Sequence, residues 1–530
     1  MMQAHKIPIF RSWVSEWVAR SVIFAILMTC LFSFAFYGSP VAAMGFYGIQ
    51  PTDVQYGMVV IYGSTVAFLA LDFRIVKYFA PRKYLLIALA MNALCSVVCF
   101  HFKDWTVFVI CQFLQGITCA LMSGIVLQLI FPRLHAVRAR VIAYSLLYGC
   151  IQIAVPFYAI YNSVMLYFFD FNWLFYGFIV LLMILAGAVL LTMNSKARFS
   201  KKIPLYQVDW IGYLFYVSFI LLLGYILVYG RQLGWLDSPR IWMLILGDLV
   251  ILSLFIIRAS KLKRPLINLQ IFKAKNFVLG VFLLITFYLF KGSTGLAYGY
   301  VEVILGNDPL STIPIWTAVI VGTTLSMFVT SRFVLMGYNL IHLIVVGFII
   351  MAIYYAYMIL FVSVQGETVD FLLPLLLYGV ATGVLFVPIV SFTTSSAPPK
   401  IAINASLVGI LARFTGFTLS LALNNELQLI AKSGVRERVR EALTETNPQL
   451  PLTMLDIQNQ YLHAGSDMYT AKAVSTGYLN QLVGHQILVR ATRDYYDWML
   501  AGVLIVVVIL VFLPQIQRVA LRLTKGNVPY

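Results

Sequence analysis

Three ionisable side chains lie inside long apolar runs of this chain: Lys291, Glu302 and Asp248. A charge in the hydrocarbon interior of a membrane costs about 2.5–3.5 kcal/mol on insertion scales, so such residues usually line a pathway for an ion or a substrate. A carboxyl group such as that of Glu302 can take up and release a proton. An ammonium such as that of Lys291 can pair with a carboxylate or bind an anion. These residues are the first candidates for a functional site.

The spacing of Lys291 and Glu302 places both on one side of a predicted helix. They are eleven residues apart, which brings them back to nearly the same face, about 16 Å apart along the axis. Simpler interpretations stay open for all three residues. Glu302 can lie at the outer membrane interface, and Lys291 can extend its side chain toward that interface. Asp248 can serve only to hydrogen-bond a neighbouring helix.

The composition places the chain in a membrane. It is 61% hydrophobic and 11% charged, with a mean hydropathy of +0.90, whereas a soluble domain carries about 25% charged residues. The net charge of +17 does not indicate nucleic-acid binding, because the basic residues fall in short loops between apolar runs, where they set topology. We therefore expect an all-α polytopic membrane protein that contacts the lipid bilayer and no nucleic acid.

The sequence offers no ligand set for an enzyme. The six cysteines and six histidines form no CxxC pair, no HExxH sequence and no metal-binding spacing. No GxxxxGK(S/T) loop is present either, so ATP hydrolysis cannot supply energy within this chain. We expect no catalytic residues, metal or cofactor. A membrane enzyme or a non-transporting receptor is the alternative of another class.

The apolar runs predict fourteen transmembrane helices, because each is long enough to cross a hydrocarbon core of about 30 Å. Six form a predicted N-terminal bundle in residues 1–194, two lie in a linker over 195–275, and six form a C-terminal bundle in 276–530. The predicted spans are 18–37, 54–71, 83–100, 105–130, 141–161, 173–193, 210–230, 240–257, 277–303, 312–331, 340–362, 371–392, 405–429 and 498–513.

The loops between these spans predict the orientation. Lys and Arg concentrate in alternate loops, and such loops stay on the cytoplasmic side. Both termini are then cytoplasmic, and the first apolar run is an uncleaved helix rather than a signal peptide. Residues 431–494 form one long loop on the outer side, with helical spacing in parts. This loop is either a solvated cap or a docking surface for a periplasmic partner.

The central part of the chain carries the sharpest family likeness. It reads VDWIG at 208–212, GRQLGWLDSP at 230–239 and RPLINLQIFKAKNF at 264–277. With Leu114-Gln115-Gly116 in span four and LARFTG at 411–416, it resembles the fourteen-span drug:proton antiporters of the EmrB/QacA type in the major facilitator superfamily. The resemblance implies a six-plus-two-plus-six helix fold and a role for Arg413 in packing, in pairing with a carboxylate or in substrate contact.

The chain also departs from that family at several motifs. Phe32 stands where the family usually has an Asp in span one, and Gln112 stands where it has an Arg in span four. Of the antiporter motif in span five only Pro156 remains. The loop after span two keeps basic residues at Arg82 and Lys83 but has a lysine in place of the family's Asp.

The resemblance implies a secondary active transporter in the inner membrane. Such a protein exports hydrophobic or amphipathic small molecules as protons enter. A second interpretation is transport of a specific anionic metabolite, siderophore or lipid, with different proton coupling or none, in which Lys291 contacts the anion.

Overall fold

The computed structural model describes most of the chain as α-helix and contains no β-strand in the part that it describes, only an isolated bridge between Phe10 and Met193. The described residues are 9–76, 78–130, 137–195, 197, 208–303, 308–363, 366–398, 401–442, 449–465 and 467–512.

The first half of the chain contains seven helices, and two more follow before residue 262. The first-half helices are α1 Glu16–Phe32, α2 Pro40–Tyr47, α3 Pro51–Ile75, α4 Pro81–His101, α5 Trp105–Ile130, α6 Val137–Phe168 and α7 Trp173–Thr192. The next two are α8 Trp210–Tyr229 and α9 Pro239–Lys261.

The second half begins at residue 275. Its helices are α10 Lys275–Lys291, α11 Thr294–Val303, α12 Ile313–Leu335, α13 Leu340–Phe361, α14 Leu372–Ser395, α15 Ala402–Ala442, α16 Gln449–His463 and α17 Met468–Phe512.

The predicted all-helical membrane fold is confirmed. Thirteen helical segments of the described chain are long and apolar enough to cross a membrane, and the 17-residue helix α1 brings the count to the predicted fourteen. Local signals explain where several helices begin. Pro51, Pro81 and Pro239 each occupy the first helical position, where a missing N–H costs nothing. Asp209 accepts a hydrogen bond from the backbone of Gly212 and so caps α8.

The described helices pack into two buried apolar clusters. One joins the first half to α8, and the other lies among the second-half helices. Helix α8 packs on α3, and α9 packs on α8, so this pair lies beside the first half. The two halves meet where α6 contacts α12 and where α3 contacts α15. A further, smaller contact joins α6 to α14.

The predicted span 277–303 is not one uninterrupted helix, which corrects the expected common stripe of Lys291 and Glu302. A two-residue turn at Gly292 and Ser293 separates α10 from α11. The turn packs against α15: the Gly292 carbonyl accepts a 3.2 Å hydrogen bond from Asn424, and a Cβ on Gly292 would lie 1.9 Å from the Ser420 hydroxyl. Lys291 and Glu302 therefore lie on separate helices, and their spacing of eleven residues does not by itself place them on one face.

Two helices of the second half are far longer than a membrane is thick. Helix α15 has 41 residues and α17 has 45, about 60 and 67 Å at 1.5 Å per residue. Their projecting parts are joined by a 2.9 Å ion pair between Arg438 and Asp494, and α16 packs on α17. The predicted outer loop 431–494 is thus largely helical in its described residues. We call residues 430–442, 449–463 and 468–494 the helical extension.

Candidate functional site

Lys291, at the end of α10, contacts the first half of the chain. Its ammonium donates a hydrogen bond to the side-chain oxygen of Gln152 on α6 and lies 5.2 Å from the centre of the Tyr288 ring. The Gln152 amide nitrogen donates to the Tyr288 hydroxyl at 3.1 Å. These three side chains form a polar triangle between α6 and α10. Lys291 keeps part of its surface accessible, whereas Gln152 is buried.

Gln152 lies near the middle of α6, about 22 Å from its first residue. Pro156 is one helical turn further along and lies inside the same helix. A proline has no N–H and cannot bond the carbonyl four residues earlier, which here is the carbonyl of Gln152. The retained proline of the family motif therefore weakens the helix at the residue that binds Lys291.

Arg413 lies near Lys291 on the adjacent helix α15. Its side chain is only 6% exposed, and its guanidinium lies 5.2 Å from the centre of the Phe386 ring on α14. Gly416, one helical turn after Arg413, packs directly on α10, since a Cβ on it would lie 2.8 Å from the Cβ of Tyr288. Phe414, the next residue on α15, contacts Tyr62 of α3, with ring centres 5.5 Å apart. Both cations of the second half thus lie close to the first half.

Aromatic rings surround the two cations. Tyr62 packs edge-on against Phe414 at 5.5 Å and Phe417 at 5.8 Å, so rings of α3 and α15 meet between the halves. Tyr288 and Phe386 lie under Lys291 and Arg413, as described. An apolar compound can pack against such rings, and cations are stabilised over their faces. We call Gln152, Tyr288, Lys291 and Arg413, with the rings of Tyr62 and Phe386, the central site.

Two of the predicted residues do not join the described central site. Glu302 lies on α11, and its side chain is outside the described residues. Asp248 lies on α9, buried to 6% exposure, with one carboxylate oxygen lacking a hydrogen-bond partner among the described residues. Helix α9 packs mainly on α8, so we describe Asp248 separately from the central site.

A family model described as Major Facilitator Superfamily matches residues 21–421, most of the chain. The chain belongs to the major facilitator superfamily. Among solved superfamily-like folds, a peptide transporter of the POT family matches with a TM-score of 0.54 and 11% identity over 89% of this chain and 94% of that one. A POT family transporter in complex with a thioalcohol-conjugated peptide matches with a TM-score of 0.54 and 15% identity over 78% and 91%. At these identities the likeness shows the fold alone.

The chain is also similar in sequence to two multidrug export proteins, over about 60% of its length. Multidrug export protein EmrB of Escherichia coli is 22% identical over 336 residues, 62% of this chain and 62% of that protein. EmrB of Haemophilus influenzae is 22% identical over 338 residues, 61% of this chain and 62% of that protein. The match therefore spans less than two thirds of these relatives.

Gln112 and Gln115 of α5 take part in an uncharged hydrogen-bond network. Gln112 donates to Gln115 at 2.9 Å, and Gln115 donates to the Ser96 hydroxyl at 3.1 Å. Both glutamines are fully buried. Phe32 packs edge-on against Phe157 of α6, with ring centres 5.5 Å apart.

The other motif residues have structural surroundings. A Cβ on Gly116 would lie 1.8 Å from the Ser64 hydroxyl and 2.5 Å from the Ile61 carbonyl, so this glycine allows α3 and α5 to approach closely. Arg82 and Lys83 lie in the first turn of α4. Neither forms an ion pair in the part of the chain that the structure describes.

Asp72, the residue that follows the predicted span 54–71, is a buried carboxylate of α3. It is fully buried and accepts a hydrogen bond from the Tyr84 hydroxyl. Its second oxygen has no hydrogen-bond partner among the described residues and points at Gly124, where a Cβ would lie 1.7 Å away. Helix α3 continues to Ile75, so Asp72 lies inside the helix.

Each face of the protein carries its own polar contacts. On the basic face, Arg258 pairs with Asp209 at 2.8 Å, and Arg74 donates to the carbonyls of Arg264 and Pro265. We define the basic face by these residues.

The opposite face joins the two halves. Gln55 of α3 and Asn425 of α15 bond through their amides. Glu426 pairs with Arg231 at 3.2 Å and accepts from the Trp235 ring nitrogen at 3.1 Å, which ties the α8–α9 turn to α15. The opposite face is thus closed between the halves.

Proposed function

We propose that this protein is a secondary active transporter that exports hydrophobic or amphipathic small molecules in exchange for protons. The observation that carries the proposal is the central site, where Lys291 of the second half bonds Gln152 of the first half between membrane-spanning helices. Superfamily transporters move substrate by rocking two bundles about a central site. The assigned bundles are residues 1–194 and 276–530, with 195–275 as linker. The multidrug export activity named for the EmrB relatives agrees with this assignment.

Proton coupling needs a carboxyl group that changes protonation during the cycle. We assign this role first to Glu302 on α11, within the helix pair that begins with the central-site residues of α10. Asp72 is the second candidate, because it is fully buried in the first half and has one oxygen without a partner among the described residues. Asp248 is the third candidate, because it is buried on α9 and one of its carboxylate oxygens has no hydrogen-bond partner among the described residues.

Orientation and location follow from the charges. The basic face carries the Lys- and Arg-rich loops, which remain on the cytoplasmic side. We therefore assign it, with both chain termini, to the cytoplasm and the protein to the inner membrane. The closed Gln55–Asn425 face is then periplasmic, and the described arrangement is closed toward the periplasm.

The helical extension is the assigned contact for a periplasmic adaptor protein. It projects well beyond the membrane because α15 and α17 are about twice as long as a span needs, and Tyr469 and Leu452 on it are exposed large side chains. A solvated cap is the competing role. Co-purification with an adaptor supports the contact, and unchanged export after deletion of residues 436–485 contradicts it.

The proposed function is tested in proteoliposomes that hold the purified protein and an internal pH dye. A pH gradient is imposed, and lipophilic cations, anions and zwitterions are added in turn. We expect proton flux that depends on substrate and that disappears in Glu302→Gln. Flux that persists in this variant but disappears in Asp72→Asn moves the proton site to the first half. Substrate movement without proton flux contradicts the proposed coupling.

A further inference from the structure

The central site contains the positively charged side chains of Lys291 and Arg413. Lys291 forms no ion pair with a carboxylate in the part of the chain that the structure describes. Its described polar partners are the neutral Gln152 and the ring of Tyr288. Arg413 is a second cation, buried on α15, the helix that packs against α10. A positive charge inside a membrane-spanning segment is costly, and an added anion would lower that cost.

Aromatic rings surround the two cations and offer a surface for an apolar group. The rings of Tyr62, Phe414 and Phe417 cover the side of α3 and α15, and Tyr288 and Phe386 lie beneath the cations. A ligand with one negative group and an apolar body could place the first between the cations and pack the second on the rings. A purely inorganic anion would leave the aromatic surface unused.

We propose that Lys291 and Arg413 bind amphipathic anions, compounds that join a single carboxylate or sulfonate to an aromatic or aliphatic body. The proposal names the substrate class of the central site and so rests on the proposed transport function. The carboxylate displaces the side-chain oxygen of Gln152 from Lys291. Because Gln152 belongs to α6 and Lys291 to α10, binding then releases one contact between the two halves.

Binding is measured directly with three fluorescent probes of one shape and different charge: pyrenebutyrate, pyrenebutanol and pyrenebutylammonium. The purified protein is held in lipid nanodiscs, and energy transfer from tryptophan to pyrene reports binding, with empty nanodiscs as the blank. We expect the anion to bind about tenfold more tightly than the alcohol, a difference of about 1.4 kcal/mol, and the ammonium to bind more weakly than both.

Variants assign the preference to Lys291. Lys291→Gln should weaken pyrenebutyrate about tenfold and leave pyrenebutanol unchanged, and Lys291→Arg should keep the preference. Lys275→Gln removes an exposed lysine from the first turn of the same helix and should change neither probe. Gln152→Glu keeps Lys291 but gives it a carboxylate partner, which should also weaken the anion about tenfold. If Lys291→Gln does not fold, Gln152→Glu tests the proposal instead.

Equal affinity for the three probes, a preference for the ammonium, or an unchanged anion affinity in both Lys291→Gln and Gln152→Glu would overturn the proposal. The anion-binding proposal and the transport proposal can be contradicted independently. Gradient-driven transport of cations without an anion preference in the binding assay overturns this inference and leaves the transport function standing. Lys291-dependent anion binding without gradient-driven transport supports the site and contradicts the transport function.

Discussion

Gln55 of α3 and Asn425 of α15 exchange two side-chain hydrogen bonds, of 3.1 and 2.7 Å, between the halves of the protein. The pair uses a donor and an acceptor from each amide, so neither residue can be replaced by an apolar one without leaving its partner incomplete. Together with Glu426 it forms the polar closure of the opposite face.

Loss of this pair should open the opposite face. Each hydrogen bond contributes about 1 kcal/mol net, so Gln55→Leu should raise the population open to that side several-fold. The measurement is the labelling rate of a cysteine placed at Tyr62 by a membrane-impermeant thiol reagent, in a background without the native cysteines. Ser253→Ala, on α9 and outside the closure, is the control. Equal labelling rates in Gln55→Leu and the control would contradict the closure.

Gly116 should be intolerant of a side chain. Gly116→Ala would place a methyl group 1.8 Å from the Ser64 hydroxyl and 2.5 Å from a backbone carbonyl of α3, and overpacking of this kind costs about 1–3 kcal/mol. Gly187→Ala on α7 meets no atom within 4 Å and serves as the control. Thermal unfolding in detergent should show a lower midpoint for Gly116→Ala only. Equal midpoints for the two variants would mean that α3 and α5 do not approach closely.

Tyr84 should stabilise the protein through Asp72. Tyr84→Phe removes the hydroxyl that donates to this fully buried carboxylate, and an unsatisfied buried acceptor costs about 1–3 kcal/mol. In Asp72→Leu the same Tyr84→Phe change should cost much less. Stability measured for the four proteins of this double-mutant cycle gives the coupling. An equal loss of stability from Tyr84→Phe in the wild-type chain and in Asp72→Leu would show that the Tyr84 hydroxyl does not stabilise the protein through Asp72.

Gln115 should be the most sensitive residue of the buried network in the first half. Gln115→Leu leaves Gln112 without its acceptor and removes the donor to Ser96. Gln232→Leu, on the exposed α8–α9 turn, also removes amide hydrogen bonds but leaves them replaceable by water. Denaturation should show a loss of about 1–3 kcal/mol for the first change and little for the second. A reversed order would contradict a closed network at Gln112.

The helices and the central linker could be predicted from sequence because hydropathy and length act locally. The break after Lys291 could not, because Gly292 turns where Ser420 and Asn424 of α15 approach it. The hydrogen bond between Lys291 and Gln152 could not be predicted either, since it joins residues 139 positions apart. The burial of Asp72 could not be predicted, because it depends on Tyr84 and on the space left by Gly124. Contacts between helices decide these features.

The central claim is that a proton gradient drives substrate export through this protein. The most direct measurement is accumulation of a lipophilic test compound in proteoliposomes with an acidic interior and the basic face of the protein turned outward. The account predicts accumulation above the equilibrium level, which collapses when nigericin dissipates the gradient and is lost in Lys291→Gln but not in Lys275→Gln. Accumulation that never exceeds equilibrium for cations, anions or neutral compounds would contradict it.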